Sequence, residues 1–466
     1  MAMGPGLTRG WARASDLARR EVSLAWVCSG RTRYWTFGLL LLAAYLGNQR
    51  ASIGAYDTYP NEVLPYALVR GYGPFLERFE NGIRLPDHAL PDFATTGRGH
   101  ILSRYPVAPA LLTAPLIAPQ IWYRDLVEPG WDSNLYWLQK ACSQMSKNAM
   151  AILAALAGAL LLQLLDRMGL GRAAVPAALA GALGSDLWAV ASQAAWQHGP
   201  AVLMLVVMLR LLTPGPASRA HLAGAGLAAG MLTAIRLFDV VFPAAVALGL
   251  LLTRPRDLAW FIFPAVPIAA VLLAYNLYYF GVWAGGQDGL EALHASVHGV
   301  EGIWTGRFLE GAAGTLFSPA RGLFVFSPWA APAVLLLPAT ARRVAAFPAV
   351  AWTTLALVPY AVLLSKYSVW WGGHSFGPRY WIEASVPLAI LLAFAIDWSL
   401  SRRLALRIFL VVAIAWSIAL QAVGAWYYPS SWNQRPHDVD RHHERLWDWR
   451  DTEISRCLIE SRFFLY

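Results

Sequence analysis

Charged residues are scarce in this chain. They make up only 14% of its 466 residues, whereas 57% are hydrophobic and the mean hydropathy is +0.44. A soluble domain usually carries roughly a quarter charged residues, so water-facing domains cannot account for this much apolar surface. The composition therefore predicts that the lipid bilayer is the main solvent, and it excludes a soluble enzyme or a disordered scaffold.

Lysine is scarcer still. The chain has three lysines (Lys140, Lys147 and Lys366), and arginine supplies nearly all of its positive charge. The net charge of +9 comes from basic residues that are scattered singly between apolar runs. In a membrane protein such residues report orientation. We therefore expect membrane lipids as partners and no nucleic acid.

Cysteine and the signatures of common cofactors are also sparse. Cys142 and Cys457 both fall in predicted outer segments, so a disulfide between them is possible in principle. We favour the alternative, in which all three cysteines are free thiols. The sequence contains no P-loop, no dinucleotide fingerprint, no HExxH and no CxxC. It therefore gives no support to nucleotide hydrolysis, redox cofactors or zincin chemistry.

Apolar runs predict an all-α polytopic membrane protein with about 11 transmembrane helices. Residues 1–34 carry six arginines and precede the first run, so we expect this basic N-terminus in the cytoplasm. The further predicted spans are 143–165, 174–193, 197–213, 220–236, 238–253, 258–280, 324–341, 344–365, 382–400 and 404–425. This arrangement puts 17 arginines and five acidic residues on the inner side and 23 acidic residues on the outer side, as the positive-inside rule requires.

The predicted outer segments are long. Within a transmembrane module at 35–425 they are the first loop (48–142), the middle loop (281–323) and the short loop (366–381), and a tail (426–466) follows. The apolar stretch Tyr105–Tyr123 contains four prolines. We place it along the outer interface, because a spanning helix there would move Arg167 and Arg172 outside and invert every later loop. The tail mixes aromatic residues with both charge signs, and we expect a small folded cap.

Ionisable side chains gather near the predicted outer ends of the helices. Charges are costly at membrane depth and are retained mainly where they line a cavity. We therefore expect an outward-facing cavity that handles a charged substrate. The side chains at this depth come from seven segments and include Asp57, Glu62, Arg104, Tyr105, Asp186, His198, Arg236, Asp239, Lys366, Arg379 and Glu383.

Several of these residues also have a purely structural interpretation. Asp57 lies in DTYP, a context that suits a turn or a helix cap. Arg236 and Asp239 are expected to pair with each other, and His198 suits a hydrogen bond at the interface. The WWGG run at 370–373 also fits an aromatic belt followed by a turn.

Three stretches of the outer segments resemble a known superfamily. They are AYDTYPNEVLPYALVRGYG (55–73), GHILSRYPVAPALLTAP (99–115) and KYSVWWGGHSFGPRYWIEASVP (366–387). They are similar to the first-loop motif, the juxtamembrane helix and a late loop of polytopic glycosyltransferases with the C-type fold. These enzymes include protein O-mannosyltransferases, lipid A aminoarabinose transferases and mycobacterial arabinosyl- and mannosyltransferases. The chain departs from the protein O-mannosyltransferases because Thr58, not a second acid, follows Asp57.

The resemblance implies an enzyme of the cytoplasmic membrane whose active site faces the periplasm or the cell exterior. It would transfer a sugar from a polyprenyl-phosphate donor to a hydroxyl of a cell-envelope glycan, lipid or protein. Asp57 is the expected general base, and Arg104, Lys366 and Arg379 are expected to bind the donor phosphate. The expected acceptor or sugar contacts are Glu62, Tyr105, His198, Trp371 and His374. One divalent cation, Mg²⁺ or Mn²⁺, is an open expectation.

Two other classes of function compete with transfer. A transporter or lipid flippase needs a polar path that reaches both faces of the membrane, whereas the charges outside the inner loops concentrate in the outer half. A non-catalytic scaffold predicts that Asp57 is buried in a helix cap. We favour the glycosyltransferase.

Overall fold

Helices dominate the protein. The computed structural model describes residues 24–48, 55–213, 218–297, 299–428 and 431–461. Within these ranges, four helices are long and apolar enough to cross a membrane: Leu135–Arg167, Pro255–Phe280, Pro348–Lys366 and Leu404–Tyr427. Shorter apolar helices are Gly171–Leu183, His198–Leu212, Leu237–Thr253 and Ser385–Ser399. The chain is an all-α polytopic membrane protein, as its composition predicted, while the expected number of spans stays a prediction.

Most helices of the first half match the predicted apolar runs, but the predicted span 174–193 is not one helix, because the α-helix there ends at Leu183 and a separate π-helical turn covers Leu187–Ala191. The helices are α1 (Leu24–Leu46), α2 (Tyr59–Val69), α3 (Glu80–Ile83), α4 (Ala108–Val127), α5 (Leu135–Arg167), α6 (Gly171–Leu183), α7 (His198–Leu212), α8 (Arg219–Ile235) and α9 (Val241–Thr253). Asn134 caps α5, since its side chain accepts a hydrogen bond from the Trp137 amide. In the first loop, β1 (Ala94–Gly97) and β2 (His100–Ser103) form an antiparallel hairpin.

The helices of the second half are shorter on average. They are α10 (Pro255–Ile262), α11 (Val266–Phe280), α12 (Gly286–Val297), α13 (Phe308–Phe317), α14 (Leu323–Phe326), α15 (Ala330–Leu335), α16 (Leu337–Val344), α17 (Pro348–Lys366), α18 (Ser385–Ser399), α19 (Leu404–Tyr427) and α20 (Glu453–Ser461). A 3-10 turn, Phe263–Ala265, joins α10 to α11 and makes one apolar unit of 26 residues.

The predicted span 324–341 is not one helix. The chain forms α14, α15 and α16 there, because Pro328 and Pro338 each remove a backbone donor and disturb the preceding turn. The break is tied to the end of α6. The side chains of Ser327 and Trp329 both donate to the Gly184 carbonyl, at 2.7 Å each. The interruption is therefore a stabilised feature of the fold.

The first loop packs against the bundle through α2, which contacts α4 and α5. Its core includes Val63, Leu64 and Leu138. The stretch that is predicted to lie along the interface forms α4, which is not among the four described helices that are apolar enough to cross a membrane. Its place at the interface stays a prediction. The packing of α2 holds the turn before it beside the bundle.

The tail folds onto the predicted middle loop at Arg321 and onto the predicted short loop at Gly377. Glu453 of α20 forms a buried ion pair with Arg321 at 2.8 Å. Cys142 and Cys457 are both buried thiols, they form no disulfide, and they belong to different hydrophobic clusters. The alternative of a disulfide between them is therefore not realised.

Candidate active site

Asp57 and Arg379 form an ion pair although 322 residues separate them in the sequence. The distance from Arg379 Nη1 to Asp57 Oδ2 is 2.8 Å. Asp57 lies in the 3-10 turn just before α2, and Arg379 begins the 3-10 turn just before α18. The exposed fractions of the two side chains are 22% for Asp57 and 12% for Arg379. The pair is thus accessible to a ligand while largely shielded from water.

The turn that carries Asp57 is held by its neighbours. Thr58 Oγ1 donates to the Ala55 carbonyl at 2.8 Å, and it lies 3.1 Å from Glu62 Oε1. Pro60 occupies the first turn of α2, where a missing backbone N–H is not needed for a helical bond. Glu62, an expected acceptor contact, therefore lies one helical turn from Asp57 and contacts Thr58.

The loop that carries Arg379 bends through glycines in the left-handed region. Gly372 and Gly377 have φ values of 75° and 60°, which residues with a Cβ rarely adopt. A Cβ on Gly377 would lie 2.9 Å from Asp186 Oδ1, and one on Gly372 would lie 3.0 Å from Arg379 Nε. These glycines therefore allow the close packing that sets the position of Arg379.

Each partner of the ion pair keeps one buried polar atom without a hydrogen bond. Among the described residues, no group bonds to Asp57 Oδ1 or to Arg379 Nε. An unsatisfied buried polar atom costs about 1–3 kcal/mol. A ligand that accepts from the guanidinium and donates to the carboxylate would relieve both costs.

Aromatic rings surround the ion pair. Arg379 Cζ lies 4.6 Å from the centroid of the Trp196 ring and 5.2 Å from that of Tyr380. Burial raises the pKa of Tyr105 well above its ordinary value, and the Asp57 carboxylate raises it further. Burial is the largest single influence on the pKa of Arg379 and lowers it, but the Asp57 carboxylate and Tyr380 together raise the pKa above its ordinary value, so the guanidinium stays charged. The predicted residues Asp57, Tyr105 and Arg379 thus belong to one site.

A second polar network lies beside this site and is centred on Glu383. The fully buried Glu383 carboxylate contacts His198 Nδ1 at 2.7 Å, Arg236 Nη1 at 2.9 Å and the Tyr360 hydroxyl at 3.3 Å. The expected pair between Arg236 and Asp239 is present at a longer 3.4 Å. His198, an expected acceptor contact, thus binds an internal carboxylate. Glu383 was not among the expected contacts, although an acid directly inside an apolar run was the signal for it.

Tyr380 connects the network to the ion pair. Its carbonyl accepts a hydrogen bond of 2.6 Å from the Tyr360 hydroxyl. Arg236 Cζ lies 5.5 Å from the centroid of its ring, close to the 5.2 Å found for Arg379. One tyrosine ring therefore contacts the guanidinium groups of both clusters.

Arg104 and Lys366 lie apart from the ion pair. Lys366 is exposed, and its ammonium donates to the Gly306 carbonyl at 2.9 Å. Arg104 Nε donates to the Ala94 carbonyl at 3.3 Å. Within the described part of the chain, neither cation contacts Asp57 or Arg379. Both stay predicted ligands of a donor phosphate, but neither makes the direct contact with Asp57 that Arg379 makes.

Trp371 and His374 face the C-terminal tail. Trp371 Nε1 donates to Asp440 Oδ1 at 2.6 Å. His374 Nε2 lies 3.1 Å from Asp438 Oδ1 and 3.4 Å from Asp440 Oδ2. These two expected sugar or acceptor contacts are therefore engaged with the tail.

A separate hollow of about 700 Å³ opens at the ends of the helices that are predicted to face the cytoplasm. Its lining includes Arg33, Arg172, Asp397 and Ser401. None of its lining residues belongs to the site around Asp57.

Comparison with known proteins gives a distant structural likeness. No protein-family model and no curated protein matches the sequence. Among solved structures, the chain is similar to ArnT from Cupriavidus metallidurans, whose crystal structure holds undecaprenyl phosphate, with 14% sequence identity and a TM-score of 0.46. The likeness covers 87% of this chain and 76% of that one. A likeness of this degree does not indicate what the protein does. The function therefore has to be inferred from the site itself.

Proposed function

We propose that this protein is an integral-membrane glycosyltransferase that moves a sugar from a polyprenyl-phosphate donor to a hydroxyl acceptor. The observation that carries the proposal is the Asp57–Arg379 ion pair, in which Oδ1 and Nε are buried without partners. A carboxylate can take the acceptor proton, and a guanidinium can bind a phosphate. The two groups that such a transfer needs are thus already adjacent.

Asp57 acts as the general base in this proposal. As the acceptor oxygen bonds to the anomeric carbon of the sugar, its proton passes to the Asp57 carboxylate. The bond between the anomeric carbon and the phosphate oxygen breaks, and its electron pair stays with the polyprenyl phosphate. Oδ1 is the atom that suits this role, because Oδ2 is bonded to Arg379.

Arg379 stabilises the leaving phosphate. Negative charge develops on that phosphate in the transition state, and a fixed cation there lowers the barrier. The guanidinium presents donors in a fixed fork that matches phosphate oxygens, and Trp196 and Tyr380 hold its plane. When the phosphate binds Arg379, it competes with Asp57 for the guanidinium and frees the carboxylate. Donor binding thereby prepares the base.

The remaining assignments extend the same proposal. Arg104 and Lys366 would add positive charge around the donor phosphate, and Tyr105 would contact the sugar or the acceptor. The site would face the periplasm or the cell exterior from the cytoplasmic membrane. The orientation rests on the distribution of arginine in the sequence.

The proposal is tested with purified protein in liposomes that contain a panel of polyprenyl-phosphate sugars and hydroxyl acceptors. We expect product with the native chain and nearly complete loss in Asp57→Asn, which keeps the size of the side chain. Asp92→Asn is the matched control, since Asp92 is an exposed acid of the same loop. If Asp57→Asn retains full turnover, the base assignment is wrong.

The same liposomes distinguish transfer from transport. A flippase would move the lipid-linked sugar between leaflets without cleaving it, and it would do so in the absence of an acceptor. Movement of intact donor lipid without any product would contradict the transferase and support a transporter.

A further inference from the structure

A histidine and two aspartates meet where the short loop (366–381) contacts the tail (426–466). His374 comes from the loop before α18, and Asp438 and Asp440 come from the tail. One ligand atom of each residue lies within 4.8 Å of the other two. The three side chains are partly buried. Segments 64 residues apart in the sequence thus bring an imidazole nitrogen and two carboxylates together.

The aspartates of this triad are oriented by neighbouring donors. Trp371 Nε1 donates to Asp440 Oδ1 at 2.6 Å, which leaves Oδ2 directed at His374. The Asp440 backbone N–H donates to Asp438 Oδ1 at 2.9 Å. Groups that orient the ligands in this way are typical of metal sites, in which they fix the first ligands and tune their basicity.

The separations also match metal coordination. Metal–ligand bonds of about 2.0–2.2 Å place neighbouring ligand atoms roughly 3.0–3.5 Å apart. The distances from His374 Nε2 to Asp438 Oδ1 and Asp440 Oδ2 are 3.1 and 3.4 Å. Mixed imidazole and carboxylate ligands suit Zn²⁺ or Mn²⁺ better than Ca²⁺ or Mg²⁺, which prefer oxygen alone.

We propose that His374, Asp438 and Asp440 bind one divalent transition-metal ion of the Zn²⁺ or Mn²⁺ type, which clamps the tail onto the loop that carries Arg379. The ion would neutralise the two carboxylates and link the tail to a residue five positions before Arg379. The binding itself does not depend on the proposed sugar transfer. Any effect of the ion on activity, through the position of Arg379, does rest on the proposed function.

Binding is measured on the full-length protein in nanodiscs after chelator treatment, with Zn²⁺ or Mn²⁺ added alone. We expect saturable binding of one ion per chain by calorimetry and a rise in the thermal unfolding temperature. Asp440→Asn keeps an acceptor for Trp371 and removes one ligand charge, and we expect it to weaken binding by at least 10-fold. His374→Ala should do the same.

His442→Ala is the matched control, because His442 lies in the same tail and pairs with Glu444 outside the triad. It should leave metal affinity unchanged. Absence of saturable binding in the native chain, or equal affinity in Asp440→Asn, would overturn the metal site and leave a hydrogen-bonded His–Asp cluster. Because these readouts require no turnover, they hold or fail independently of the transferase proposal.

Discussion

At the scale of the residue, the account depends on Asp57 and Arg379. The sequence singled out both from their local motifs, but it contained no sign that they touch, because they are 322 positions apart and pairing over that distance depends on the whole fold. The same limit applies to Lys366. It was grouped with Arg379, but the exposed end of α17 directs its ammonium to the Gly306 carbonyl. Motifs identified the chemistry, and the fold decided which groups meet.

The first residue-scale prediction concerns Arg379. Arg379→Ala removes the cation that stabilises the leaving phosphate. We expect kcat/KM for the donor to fall by an amount that corresponds to a loss of about 2–4 kcal/mol of transition-state stabilisation. Arg379→Lys keeps the charge and loses the fork, so its loss should be intermediate.

Steady-state kinetics in liposomes measure both variants. Arg84→Ala is the control, because Arg84 forms a partly exposed pair with Glu80 in the first loop. Unchanged donor kinetics in Arg379→Ala would show that this arginine serves only the fold.

At the scale of the element, the sequence predicted most helices and missed how some of them end. The apolar runs at 143–165 and 404–425 appear as α5 and α19. The run at 324–341 has the same apolar character, but Pro328 and Pro338 divide it. The docking of the tail through Arg321 and Glu453 was not predictable either, since it joins residues 132 positions apart.

The tail provides an element-scale prediction about stability. Glu453→Ala leaves the Arg321 guanidinium, which is 1% exposed, without its carboxylate. Removing one partner of a buried ion pair costs about 3–5 kcal/mol, so we expect a clear fall in the unfolding temperature. Glu444→Ala is the control, because the Glu444 side chain is 72% exposed. Equal unfolding temperatures for the two variants would show that the Arg321–Glu453 ion pair does not stabilise the fold.

The first loop provides a prediction about pH. Hydrogen bonds from Arg70 and Trp131 lower the pKa of Asp125. The contribution of Asp125 to the stability of the folded protein is therefore fully present above the ordinary Asp pKa of about 3.9. It is lost as the pH falls through the lowered pKa of the folded state.

Because Asp125 is partly exposed, the effect should be about 1 kcal/mol or less. Unfolding temperatures between pH 5 and pH 3 should fall less steeply in Asp125→Asn than in the native chain. The Asp92→Asn variant should follow the native curve, and parallel curves for all three proteins would remove Asp125 as a contributor.

At the scale of the whole molecule, low charge content and the distribution of arginine predicted a polytopic membrane protein, and the helices agree. Orientation still depends on the positive-inside rule. It matters for function, because the site around Asp57 must face the side on which its donor and acceptor meet.

Orientation is tested in intact cells with a membrane-impermeant maleimide, on single cysteines introduced after Cys28, Cys142 and Cys457 have been replaced by serine. We expect Asp92→Cys in the first loop to be labelled and Ser401→Cys, between α18 and α19, to stay unlabelled until the cells are opened. Both positions are exposed. Labelling of Ser401→Cys from outside would invert the topology.

The most direct measurement is an experimental structure of the protein with a polyprenyl-phosphate sugar bound. We predict density for the phosphate within hydrogen-bonding distance of the Arg379 guanidinium, with Asp57 released from that arginine and facing the anomeric carbon. A phosphate held elsewhere, while the Asp57–Arg379 ion pair stays intact, would contradict the account.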